Sequence, residues 1–177
     1  MVSMGFGYKL GIDLPGEKRG MIPNAQFYDH AFKHWNPLSV ISISIGQGEV
    51  NLTPLQIANL GATIANRGYY IAPHVVRHIQ GKNLDKKYME HHRTKGSVRA
   101  YQEVIAGMIS SVRGGTCAHA FHPGYSLAGK TGTAQIWSKE GFASNYLVSF
   151  AGYFPADRPR YSMIVCIEKG APAYGGI

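Results

Sequence analysis

Ala128-Gly129-Lys130-Thr131-Gly132-Thr133-Ala134-Gln135 is the stretch that decides how this chain of 177 residues is read. It sits inside a run from Tyr125 to Trp137 that predicts a β-strand. Two more strands are predicted after it, Asn145 to Phe154 and Tyr161 to Glu168, joined by the hairpin-type turn Pro155-Ala156-Asp157-Arg158-Pro159. The glycines before and within the octapeptide let another group approach the backbone of an edge strand closely. Lys130 supplies a fixed positive charge, and the hydroxyls of Thr131 and Thr133 can donate to a carboxylate. Backbone N–H groups on an unpaired edge can bind an extended peptide as an added strand, and one of them can help hold an acyl-transfer oxyanion. The stretch is not a phosphate loop, because that pattern places its glycine before the lysine and a helix after it. Lys-Thr-Gly alone is short enough to arise by chance, and by itself it equally fits a plain sheet edge with an exposed lysine.

Upstream, Thr53-Pro54-Leu55-Gln56 combines a capping hydroxyl, a proline at the first helical position and a glutamine three residues after the cap. Ile57, Leu60, Gly61 and Ile64 follow at helical spacing, and Asn66-Arg67-Gly68 is a stop signal. A second helix is predicted from about Arg99 to Arg113, with Val104, Ile105, Met108, Ile109 and Val112 on one side and Gly114-Gly115 at its end. Tyr69 to Ile79 reads as extended. Residues 1–52 read as turns and loops, with Ser39 to Ile45 alternating β-branched residues and serines as a strand would. Helices followed by an antiparallel run of strands predict an α/β (α+β) chain of one domain, an antiparallel sheet with packing helices.

Apolar residues make up 45% and charged residues 16%, which excludes disordered and fibrous classes. No apolar window is long enough to cross a bilayer, and the start lacks the features of a secretory signal. The net charge of +8 favours acidic partners: nucleic acid, anionic membrane surfaces or carboxylate-bearing polymers. Positive charge is densest between Lys82 and Arg99, through Lys86, Lys87, Arg93 and Lys95, which also fits a solvated face. Aromatic residues are not interleaved there as a base-stacking surface needs, so no nucleic acid is expected. Cys117 and Cys166 make no disulfide framework and leave the redox compartment open, and Cys166, inside Met163–Ile167, is expected as a small buried hydrophobe. His30 with His34, and His74 with His78, have i, i+4 spacing but lack the glutamate of a His-Glu-x-x-His site, so no metal is expected. His91-His92 is expected in solvent, no carboxylates pair for acid–base work, and Asp13 and Glu17 are expected to shape the Leu14-Pro15-Gly16 turn.

Lys130-Thr131-Gly132 is the third signature of the penicillin-binding and β-lactamase group. Together with Phe6 to Glu17, Ile45-Gly46-Gln47-Gly48, Leu52 to Ala58, Ala65-Asn66-Arg67-Gly68 and Ser149 to Pro155, it makes the chain resemble the class B penicillin-binding proteins, in particular the penicillin-binding protein 2-like transpeptidases. The order and approximate spacing of these segments match along nearly the whole chain. The resemblance implies the serine β-lactamase-like transpeptidase fold, in part. It implies D,D-transpeptidation, in which a serine attacks the penultimate D-Ala carbonyl of a peptidoglycan stem peptide and passes the acyl group to an amine. It also implies β-lactam antibiotics as ligands and needs no cofactor. Lys130 would polarise the site, Thr131 and Thr133 would bind the substrate carboxylate, Gly132 would keep the strand face open, and the Thr133 N–H would serve the oxyanion.

The family's Ser-x-x-Lys nucleophile and Ser-x-Asn triplet are both missing from the 177 residues. In the family they precede the Phe6-Gly7 segment, so residues 1–177 are expected to be a partial transpeptidase domain without a nucleophile and inactive alone. Family location implies the periplasmic face of the cytoplasmic membrane, with the anchor far upstream. The resemblance further implies a strand and a terminal helix beyond these residues that cover the last strand and one sheet face. Without them, self-association is expected. Two alternatives are a non-catalytic module of the same fold that senses β-lactam or peptidoglycan, and a basic protein that binds an anionic polymer.

Overall fold

The computed structural model describes residues 1–32, 36–135 and 146–170. Four helices and five strands follow one another among them, interrupted by single 3-10 turns. In chain order they are α1 (Ala25–Phe32), α2 (Pro37–Ser44), α3 (Pro54–Ala65), β1 (Tyr69–Tyr70), β2 (His92–Arg93), α4 (Val98–Gly114), β3 (Ala128–Gln135), β4 (Tyr146–Phe154) and β5 (Tyr161–Gly170). β3, β4 and β5 form an antiparallel sheet in that order, and β1 pairs with β2 in a separate ribbon. α3 packs on β4 and β5 and α4 packs on β3, so both helices cover one face of the sheet. The expected α/β architecture is thus present, with the Lys-Thr-Gly strand at one edge of the described sheet.

α3 starts where its local chemistry puts it. The Thr53 hydroxyl accepts from the Gln56 N–H and the Gln56 side chain accepts from the Thr53 N–H, a reciprocal capping box, with Pro54 at the first turn. It stops where Arg67 takes a left-handed φ of 57° and Gly68 one of 112°. A side chain on Gly68 would come within 2.8 Å of the Tyr101 ring, which is why glycine stands there. α4 is capped by Ser97 and turns its apolar side to the sheet. The core between helices and sheet is built from three alanines around one tyrosine: Ala65, Ala128, Ala156 and Tyr153 are buried, with Ile64, Ile105, Met108 and Ile109 packed around them.

α3 also buries a polar stripe, with Gln56 at 1%, Asn59 at 5% and Thr63 at 0% exposure. The Gln56 amide donates to the carbonyls of Gly5, Tyr8 and Arg19, at 3.2, 3.1 and 3.0 Å. One side chain therefore ties the glycine-rich start of the chain to the helix that carries the sheet, sharing its two amide hydrogens among three carbonyls that are buried or partly buried.

Several expectations need correction. Ser39 to Ile45 is not a strand but lies in α2 and its C-terminal cap, because the Asn36 side chain caps the Leu38 N–H and Pro37 opens the helix. The alternation of serine and isoleucine placed no buried face: Val40, Ile41 and Ile45 are exposed. Tyr69 to Ile79 is extended only at Tyr69–Tyr70 within the ribbon. Cys166 is exposed, because α3 meets β5 near its start, at Ser162, and residues 165–168 beyond it are uncovered; Cys117 is the buried cysteine. Asp13 does not close the nearby turn but accepts from the N–H groups of Val75 and Val76, whereas Glu17 does shape its turn by accepting from Leu10, Gly11 and Ile12. The expected strand ends at Ile136, Trp137 and Asn145, and the partner His34, lie outside the described residues.

Candidate active-site strand

β3 is held in place at its start. The Ser126 hydroxyl donates to Asp157, and the Ala156 N–H donates to both the carbonyl and the hydroxyl of Ser126, at 3.0 and 2.9 Å. The Ser126 hydrogen bond, helped by local N–H groups and Arg158, holds the Asp157 carboxyl below its usual range. The strand that carries Lys130 is thereby pinned to the turn between β4 and β5.

Within β3, Ala128, Lys130 and Gly132 stand opposite Tyr153, Ala151 and Ser149 of β4, and Thr131 and Thr133 stand opposite Phe150 and Val148. Residues two apart share a face, so Ala128 and Lys130 look toward α3 and α4 while the two threonines occupy the other side. Lys130 is exposed, and its Nζ donates to the Thr131 carbonyl at 2.9 Å and to the Thr131 hydroxyl at 3.4 Å. The lysine thus turns over the strand toward Thr131 and brings its ammonium and that hydroxyl together. Thr133 is exposed one pleat further on.

The glycines act differently from the simple open-edge reading. A side chain on Gly129 would collide with the Phe150 ring, and one on Gly152 would collide with the Ala128 carbonyl oxygen. One on Gly132 would lie 2.7 Å from the Ser149 hydroxyl, which itself donates to the Gly132 carbonyl at 3.4 Å. What approaches the backbone here is the neighbouring strand. Ser149 is a site neighbour that the sequence reading missed; its place opposite the motif glycine in a three-strand pattern was the available signal.

Behind the strand a groove of about 570 Å³ opens between α3 and α4. Its walls are mainly apolar, from Ile57, Leu60, Ile64 and Met108, with Lys130 and Ala151 at the sheet and Ser111 and Thr116 among the lining. Ser111 is hydrogen-bonded to Thr116 at 3.2 Å and donates to the Cys117 sulfur at 3.1 Å. Among the described residues no cluster of His, Cys, Asp or Glu is arranged to hold a metal ion, and no helix is long and apolar enough to cross a membrane. The arrangement offers a cation, two hydroxyls and a strand edge with no further strand on it among the described residues, which together can hold an extended peptide by its backbone and its carboxylate.

The chain belongs to the penicillin-binding protein transpeptidase domain family, whose model matches residues 1–177. It is 34% identical to the peptidoglycan D,D-transpeptidase MrdA of Acinetobacter baumannii, over 96% of this chain and 27% of that protein. MrdA of Haemophilus influenzae is 32% identical over 96% of the chain and 29% of its own length. Among solved structures it is similar to Pseudomonas aeruginosa PBP2 in complex with WCK 5153, with a TM-score of 0.82 and 30% identity over 98% of this chain and 39% of that one. The chain therefore spans well under half the length of these relatives.

Proposed function

We propose that this chain is the carboxylate-binding part of a peptidoglycan D,D-transpeptidase that cross-links stem peptides by serine acyl transfer. The observation that carries the reading is the convergence of the Lys130 ammonium and the Thr131 hydroxyl on one sheet edge, with Thr133 exposed beside them. A stem peptide lies along β3 as an added strand, with its terminal carboxylate at Lys130, Thr131 and Thr133. Thr133 contributes its N–H to the oxyanion, and Gly132 keeps the strand flat against Ser149. The nucleophilic serine comes from a part of the longer protein outside residues 1–177, which hold no Ser-x-x-Lys sequence. β-Lactams acylate that serine, because they present a carboxylate and a reactive carbonyl to the same groups. The longer protein works at the periplasmic face of the cytoplasmic membrane, held there by an anchor, and the 177 residues alone are inert and prone to self-association.

Intact-mass analysis with peptide mapping after exposure to benzylpenicillin tests this. The longer protein should gain one penicilloyl adduct on a serine outside residues 1–177, and the 177 residues alone should gain none. No adduct on the folded longer protein would replace the reading with a binding module that senses peptidoglycan without acylation. An adduct on a serine inside the chain would overturn the assignment of the nucleophile.

A further inference from the structure

Residues 74–99 carry seven lysines and arginines against two carboxylates. Arg77, Lys82, Lys86, Lys87, Arg93 and Lys95 are all exposed. Two carboxylates beside them are engaged with backbone, Asp85 accepting from the Lys87 N–H at 3.1 Å and Asp13 from the Val75 and Val76 N–H groups at 2.8–3.0 Å, while Glu90 is exposed. Residues 74–88 are drawn together into one surface, with Lys82 bridged back to Ile79. His74 packs its ring 4.7 Å from Tyr88, which sets residues 74–79 against the Lys86–Tyr88 turn, and Lys87 lies 4.6 Å over the Tyr88 ring. Asp13 and Asp85 both act on the Lys87 ammonium, whose pKa is raised chiefly by its hydrogen bond to Tyr88.

We propose that this basic lobe is a second docking surface for the carboxylate-bearing peptidoglycan polymer, separate from the Lys130 strand. The inference rests on the transpeptidase reading for the identity of the polymer. A nucleic acid fits less well, because the tyrosine faces that would stack on bases are occupied: Tyr69 by His91 at 4.2 Å, Tyr70 by His92 at 5.0 Å and Tyr88 by Lys87. The lobe joins the site through α4, whose 17 residues begin in the basic segment and end beside Ser111 and Thr116 of the groove that Lys130 lines. That helix is about 25 Å long, at about 1.5 Å per residue. A stem peptide of about five residues reaches about 17 Å when extended. One peptide lying on β3 does not itself span α4, so it is the glycan and the neighbouring carboxylated peptides of the same polymer that would reach the lobe. Exposed Val75, Ile79 and Met89 between the cations give apolar footing to peptide methyl groups.

The test is co-sedimentation of the longer protein with purified insoluble peptidoglycan, native or with its carboxylates amidated. Amidation should weaken binding by about tenfold or more, and a Lys82→Glu/Lys86→Glu/Lys87→Glu variant should lose a similar factor on native material with a shallower salt dependence. That variant should be acylated by benzylpenicillin at the unchanged rate, which shows that it is folded and separates this inference from the reading of β3. Equal binding of native and amidated peptidoglycan overturns the proposal without reference to any variant. So does unchanged binding by the charge-reversed variant. Equal or tighter binding to phosphatidylglycerol vesicles or duplex DNA through the same lysines overturns it in favour of a general polyanion or membrane surface. If no serine of the longer protein is acylated, the transpeptidase reading falls while the sedimentation result still stands.

Discussion

α3 and β3 use similar polar side chains in opposite ways. On α3, Gln56 and Thr63 are buried and paired, the Gln56 amide with carbonyls at the start of the chain and the Thr63 hydroxyl with the Asn59 carbonyl; the buried Asn59 side-chain nitrogen between them has no partner among the described residues. On β3, Lys130 and Thr133 are exposed, and among the described residues the Lys130 ammonium bonds to its own neighbour, Thr131. Buried polar groups that are satisfied hold the architecture, and removing one leaves its partners stranded. Exposed groups whose best partner is a neighbour on the same strand lose little by exchanging it for a ligand. The position of a polar group relative to the core thus separates framework from site more clearly than its chemical type.

The sharpest way to break this comparison is Lys130→Ala in the longer protein. Penicillin acylation should slow on the order of 100-fold or more while the unfolding midpoint stays within experimental error. A large loss of stability with little loss of acylation would reverse the roles of the two regions. Gln56→Ala should do the opposite, costing about 3 kcal/mol in urea unfolding through carbonyls that lose their shared donor and a lost capping box, with the acylation rate per folded molecule near normal. Thr53→Ala removes only the reciprocal cap and should cost about 1 kcal/mol in the same assay. The smallest effect is expected at Asp13, whose pKa is lowered below 3.8 mainly by the Val76 and Val75 N–H groups. A carboxyl depressed in the folded state stabilises above its unfolded pKa and loses that contribution as pH falls through the folded one. Asp13→Asn should therefore be slightly less stable at neutral pH, and the gap should close as the pH drops through and below 3.8. A gap independent of pH would remove the assigned charge effect.

What was legible in the sequence was local. The capping box at Thr53 and Gln56, the stop at Asn66-Arg67-Gly68 and the α4 stripe depend on neighbours within a few residues, and all three were placed correctly. The Lys-Thr-Gly strand and its antiparallel partners were also readable, because their alternation and turn are short-range. α2 was misread because serine–isoleucine alternation outweighed the Asn36-Pro37 start signal that lay beside it. The second role of Gln56 could not be read at all, since its three acceptors stand 37–51 residues away. Cys166 was misplaced for a similar reason: an apolar run suggests two covered faces, but the neighbours of β5 decide which are covered.

The close contacts of Gly129, Gly132 and Gly152 have a consequence for how this strand can vary. Each leaves no volume for a single methyl group without shifting Phe150, Ser149 or the Ala128 backbone. Substitution at Gly129 or Gly152 therefore has to move a packed ring or a neighbouring backbone, whereas Gly132 asks only that the small Ser149 hydroxyl turn aside. The positions of β3 that can change without moving the sheet are exposed Lys130 and Thr133 and half-exposed Thr131 and Ala134, so the strand can alter its surface chemistry far more readily than its spacing from β4.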